Sequence, residues 1–138
     1  MNKTLLPMLL FALIGTCSTC SKNKPDCHEY YTIKNNSNSA IYFRWSRDSA
    51  LKLLSYSPGS SPAEYKCAAN EGMNDTYRAC YEAEINLSSL KKLNIWIFDA
   101  HIIETLPWDT VKKNYMILRK YSLTKAQLDS ANWIINYP

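Results

Sequence analysis

The sequence predicts an α+β fold: a β-rich antiparallel sheet or small sandwich with two C-terminal helices. Three observations predict it. Two runs rich in β-branched and aromatic residues flank a cluster of turn formers, and Ile95-Trp96-Ile97-Phe98 is apolar on both faces. After Pro107 the apolar residues recur at three- and four-residue steps instead of two.

In chain order, the first element is a leader. Lys3 precedes an apolar run from Leu5 to Ile14, broken by Pro7 and followed by small residues. The run is too short to span a bilayer, which takes about 20 residues, and has the layout of a secretory signal. Ile14-Gly15-Thr16-Cys17 resembles a bacterial lipobox, which makes Cys17 the expected lipidation site, with Cys20 as the alternative. This divides the chain into a lipoprotein signal peptide (1–16), a polar tether (17–28) and one globular domain (29–138).

The five cysteines follow from that division. Export favours disulfides. Cys67 and Cys80 are the expected pair, closed across Asn70–Asp75, and Cys20 with Cys27 is a second pairing left open.

Within the domain, Glu29–Lys34 and Ala40–Ser46 around Asn35–Ser39 read as an antiparallel hairpin. Ile41, Phe43 and Trp45 should form its buried face and Tyr42, Arg44 and Ser46 its outer one. Arg47–Ser61 reads as loop. Ala63–Ala69 and Thr76–Leu87 read as strands, the second with Glu82 and Glu84 on its solvent face. Leu93–Ala100 reads as the central strand, extended past a bend by Ile102 and Ile103. Trp108, Val111, Tyr115 and Leu118 form one stripe of an amphipathic helix of about four turns. A strand over Tyr115–Leu123 competes with it. Thr124 and Gln127 make a capping box for a helix from Lys125 to Ala131, with Leu123 and Leu128 placed as its staple. Trp133–Tyr137 reads as a strand returning to the sheet.

The C-terminal third carries a recognisable series: Ile97-Phe98-Asp99-Ala100, Pro107-Trp108-Asp109-Thr110-Val111, Asn114-Tyr115, Arg119-Lys120-Tyr121, Leu123-Thr124, Asn132-Trp133 and Tyr137-Pro138. With Asn35-Asn36-Ser37 and Ile41-Tyr42, it resembles a group of small, uncharacterised lipoproteins of Bacteroides-type gut bacteria. The resemblance implies a lipoprotein of the cell envelope, in the outer membrane, and carries no catalytic residue over. Asp48-Ser49-Ala50, Asp109-Thr110-Val111 and Asp129-Ser130-Ala131 resemble the O-glycosylation acceptor of such bacteria, and Ser49, in a loop, is the best candidate. The sequons at Asn35, Asn74 and Asn86 would matter only in a eukaryotic secretory pathway.

Three glycines leave no room for a Gly-rich phosphate loop, and a net charge of +4 is too mild for a nucleic-acid footprint. No C-x₂-C or H-x₃-H spacing supports a metal site among Cys27, His28, Cys67, Cys80 and His101. No cofactor is expected. Asp99, His101 and Glu104 cluster at the end of the central strand, where a hydrolase site could form only with a second group from elsewhere. Trp45, Trp96, Trp108 and Trp133 are expected in the core, whereas Tyr42, on the outer side of its strand, is a candidate ligand contact. The expected function is a lipid-anchored, non-catalytic binding or scaffolding module. Its partners would be the membrane, through the lipid, and a glycan or envelope protein held on exposed aromatics.

Overall fold

The computed structural model describes residues 27–76 and 80–138. The leader, Cys17, Cys20 and most of the tether lie outside the described residues, as do Tyr77, Arg78 and Ala79. The strands are β1 (Tyr30–Asn35), β2 (Ile41–Ser46), β3 (Lys66–Cys67), β4 (Gly72–Thr76), β5 (Leu93–Asp99), β6 (Arg119–Leu123) and β7 (Ile134–Tyr137). The helices are α1 (Pro62–Tyr65), α2 (Tyr81–Leu87), α3 (Ala100–Thr105), α4 (Trp108–Lys113) and α5 (Lys125–Ser130), with 3-10 turns at Leu51–Leu53 and Pro58–Ser60.

The strands form two sheets, ordered β4-β1-β7 and β3-β2-β5-β6. All neighbours are antiparallel except β1 and β7, which run parallel. This is the α+β architecture expected, with one correction at its start. β1 and β2 are both strands but do not pair as a hairpin; β1 lies between β4 and β7, and β2 between β3 and β5. Their apolar faces meet across the core instead, with the Tyr31 and Phe43 rings 6.3 Å apart. Asn35 holds the crossover. Its buried amide donates to the carbonyls of Ser39 and Ala68, at 2.8 and 2.9 Å, and its side-chain oxygen accepts from the Ser37 backbone and hydroxyl.

The molecule therefore has three layers. Between the sheets lie Tyr31 and Ile33 of β1, Ile41 and Phe43 of β2, Ile95 and Ile97 of β5 and Ile135 of β7, closed by Tyr81, Ile85, Leu128 and Trp133. On the far side of the four-stranded sheet, Tyr42, Trp96 and Phe98 pack under Leu51, Leu54, Ala100, Ile103 and Val111. β5 is the central strand, as expected, and is buried at every position from Leu93 to Phe98. Asn94 within it is satisfied by the Arg47 carbonyl and the Ser122 hydroxyl. The first half of β2 is likewise covered on both faces, so Tyr42 is fully buried rather than outward. All four tryptophans pack in or against these cores.

Several other elements differ from the sequence reading. In Ala63–Ala69 the first three residues belong to helix α1, and only Lys66–Cys67 form a strand. Tyr81–Leu87 is helical, because Tyr81 and Ile85 reach the core as well at an i, i+4 spacing as at alternate strand positions. Glu82 and Glu84 are buried, not on a solvent face, and occupy the first turn, where the helix dipole favours acids. Ile102 and Ile103 belong to helix α3, started by Asp99, whose carboxylate accepts from the Ile102 backbone at 3.1 Å. Helix α4 ends at Lys113 instead of running four turns, because Arg119–Leu123 is taken up as β6 along the open edge of β5. The competing strand reading was the closer one there.

The C-terminal elements agree with expectation. Thr124 and Gln127 form the capping box of α5, and Leu123 and Leu128 share the inter-sheet core. No helix among the described residues is long and apolar enough to cross a membrane.

Candidate binding face

Most ionisable side chains that sequence reading singled out are committed to structure. Cys27 is bonded to Cys80, with Cα atoms 5.0 Å apart, so the expected Cys67–Cys80 pair is not formed. Cys67 is a free thiol in the inter-sheet core, its sulfur 3.4 Å from the Glu71 carbonyl, and burial pushes its pKa up. Pairing failed to follow sequence proximity because β3 delivers Cys67 inward, while α2 starts beside the residues that precede β1. Cys27 and His28, assigned to the tether, are thus part of the fold. The cysteines and histidines do not converge on a metal-binding group among the described residues.

Asp99 caps α3 and His101 is exposed on it. Glu104, three residues on and one turn along the same helix, accepts from Lys66 at 2.6 Å and from the Tyr42 hydroxyl at 3.1 Å. The Lys66 ammonium, with help from Tyr42, holds this carboxyl below the usual range. Asp99 is thus engaged by the cap of α3, and Glu104 by Lys66 and Tyr42. Tyr42, the candidate ligand contact, is a buried hydrogen-bond donor instead. Ser49 is exposed in the bend after β2, and its backbone carbonyl accepts from Lys120 at 2.5 Å.

Buried Asp75 reaches inward from the edge strand β4 towards Tyr31 and Tyr81. Burial raises its pKa, and the two phenols and Arg44 offset only part of that. The same burial, with Asp75 beside it, pushes the Tyr31 phenol well above its ordinary value. A carboxyl whose pKa is higher folded than unfolded destabilises the fold as pH rises. The cost is absent below the unfolded value of about 3.8, grows above it, and is complete above the folded pKa. Asp75→Asn should therefore stabilise the domain at pH 7 by about 1 kcal/mol, the low end for relieving an under-compensated buried charge. The gain should disappear in acid below the unfolded value, as measured by urea unfolding across pH.

Among the described residues, one sheet face is left uncovered. Alternation in β1 turns Tyr31, Ile33 and Asn35 inward and Tyr30, Thr32 and Lys34 outward. The register sets Ile134 and Asn74 on either side of Thr32, and Asn136 and Gly72 on either side of Lys34. Tyr30 is 55% exposed and Ile134 41%, and the Thr32 hydroxyl donates to Asn74 at 2.7 Å. Whereas the four-stranded sheet is covered by helices, these outward residues of the three-stranded sheet are exposed or half-buried among the described residues.

At one end this face runs into an open cleft of about 420 Å³ lined by His28, Glu29, Tyr30, Thr32, Asn132 and Trp133, with Cys27 at its margin. Its walls are fixed. The His28 ring stacks on Trp133 at 4.1 Å and its Nδ1 lies 2.5 Å from Glu82, while the Trp133 indole donates to Asp129 at 3.0 Å. Asn132 and Trp133 both hold left-handed backbone, φ 50° and 57°. That conformation costs each non-glycine residue about 1 kcal/mol or more, and here it brings the chain from α5 into β7. Sequence reading placed Trp133 in the core and did not find the cleft. The outward position of Tyr30 in an alternating strand was its one legible sign. A second concavity, about 330 Å³, lies between Arg44, Arg47, Tyr56 and Tyr65, with Arg47 bonded to Glu84 and Arg44 over the Tyr65 ring at 4.5 Å.

Together these features define a two-sheet α+β domain with one bare sheet face and an aromatic cleft at its end. No family model, curated protein or solved structure matches the chain.

Proposed function

We propose that this chain is a lipid-anchored protein of the bacterial cell envelope, attached through Cys17, and that its folded part is a non-catalytic binding module. The bare face of the three-stranded sheet, with Tyr30 exposed beside a preformed cleft, is the observation that supports this reading. A fixed aromatic ring offers contact area at low entropic cost, and preformed walls spare the ligand the cost of ordering them.

The chemistry around Tyr30 favours a glycan over a protein. Thr32, Asn74, Asn132 and Asn136 are neutral and can both donate and accept, matching sugar hydroxyls, while a tyrosine ring can stack on the apolar face of a pyranose. Among the described residues, Glu29 and Lys34 bring one exposed charge of each sign, while Glu82 and Asp129 behind the cleft are engaged by His28 and by Trp133 with Lys125.

Binding of the purified protein to neutral envelope polysaccharide, followed by calorimetry, tests the face. Tyr30→Ala should weaken it about tenfold or more, the scale of losing a central aromatic anchor. Tyr56→Ala, on the second concavity, should leave it unchanged. Equal binding by wild type and Tyr30→Ala would remove the face from consideration. Palmitate-analogue labelling tests the anchor separately, since label should vanish in Cys17→Ser and its persistence would move the modification to Cys20.

A further inference from the structure

The segment Lys112-Lys113-Asn114-Tyr115-Met116-Ile117-Leu118-Arg119-Lys120 places two cations on either side of a short loop between α4 and β6. Tyr115 and Leu118 project from this loop, 55% and 47% exposed, while Met116 and Ile117 between them pack against the core under the helical layer. The loop is tied down along its length. Met116 donates to the Val111 carbonyl at 3.0 Å, Ile117 to Tyr115 at 2.9 Å and Leu118 to Ile97 on the central strand at 2.8 Å.

Tyr115 holds left-handed backbone, φ 52°, a conformation that costs a bulky residue free energy and persists only where its surroundings impose it. The fold thus uses its anchoring contacts to keep an aromatic and a leucine in water. Within the segment there is no acid. The nearest in sequence, Asp109, pairs with Lys112 at 3.1 Å, and Lys120 is bonded to the Ser49 carbonyl. Lys113 and Arg119 are exposed, and Arg119 leans over the Tyr121 ring at 5.4 Å without an acidic partner among the described residues.

We propose that the loop Asn114–Leu118 and its flanking cations form a docking element for an anionic phospholipid bilayer surface. Tyr115 and Leu118 enter the headgroup boundary, where an aromatic with a polar tip is at home, and Lys113 and Arg119 lie among the lipid phosphates. Long cations beside shallow apolar side chains suit a fluid anionic interface, which demands no fixed geometry from them. This contact is independent of the glycan-binding reading and of the lipid anchor. If the anchor is present, the loop supplies a second membrane contact of the kind that makes single attachments durable.

The test uses the full chain carrying Cys17→Ser and Cys20→Ser, so that no acyl chain contributes, in flotation with two kinds of vesicle. These are phosphatidylcholine with phosphatidylglycerol, and phosphatidylcholine alone. The phosphatidylglycerol vesicles should retain the protein, and added salt should release it. Against that background, Lys113→Glu with Arg119→Glu should lower partitioning about tenfold or more, since each basic residue near such a surface contributes about fivefold. Tyr115→Ser with Leu118→Ser should also lower it, while both variants keep the wild-type melting temperature. The leader is common to all three proteins and cancels in the comparison. Unchanged partitioning in either double variant, or equal binding of wild type to both vesicles, would overturn the proposal.

Discussion

Replacing Cys80 by serine should lower the unfolding free energy of the domain by about 4 kcal/mol, whereas Cys67→Ser should cost only about 1 kcal/mol. The first figure follows from the 53-residue separation of Cys27 and Cys80 in a chain-entropy description, in which the bridge restricts the unfolded chain more the longer its loop. That loop contains β1 to β4, and the bond ties the chain just before β1 to the start of α2. It also fixes the chain just before His28, which stacks on Trp133 in the cleft. Loss of the bond should therefore loosen the cleft before it loosens β5, visible as faster amide exchange at His28 and Trp133. Cys67 has no bond to lose and leaves only a small polar replacement in an apolar site. Denaturant titration of both variants checks the difference. A larger loss for Cys67→Ser, or a Cys67–Cys80 peptide in a non-reducing digest, would contradict the pairing.

Trp96→Ala should cost about 4 kcal/mol, in the range for deleting a large aromatic from a packed core. Trp96 is fully buried in the middle of the central strand and faces the helical layer with Phe98, Tyr42 and Val111. Little nearby can collapse into the space, because its neighbours are held by two strands on one side and by the short helices α3 and α4 on the other. Tyr56→Ala, at an exposed aromatic, should change stability by less than about 0.5 kcal/mol. Chemical unfolding of the two variants decides it, and a loss below about 1 kcal/mol at Trp96 would mean that the helices do not pack there as described.

How much was legible depends on whether a residue's role is set locally. β5 could be read because a run apolar on both faces has few other uses, and α5 because its capping box lies within four residues. β4 was missed because it is a polar edge strand whose pairing with β1 is made by backbone groups, which carry no side-chain signature. The supposed hairpin shows the complementary limit. Alternation in β2 marked Ile41, Phe43 and Trp45 as one core-facing side, but the inward faces of two strands can meet in one sheet or across two, and a third layer can cover the other side.

The errors at Glu82 and Glu84 have the same origin. Their partners, His28 and Arg47, are 54 and 37 residues away, so a buried paired acid and a solvent-facing one look alike in sequence. For a ligand contact, the sequence singled out Tyr42 among the aromatics, and that ring is covered. Tyr42 and Tyr30 both sit in strands, and only the third layer, assembled from distant helices, distinguishes the covered ring from the bare one.

The proposed ligand-binding surface is the bare face of the three-stranded sheet. It is tested most directly by photo-crosslinking in living cells, with a benzophenone side chain placed at Ile134 on that face or at Lys52 on the helical layer. The account predicts a discrete, heavier adduct from the Ile134 position, lost when Tyr30 is also changed to alanine, and none of that mass from Lys52. The same adduct from both positions, or one from Lys52 alone, would contradict it.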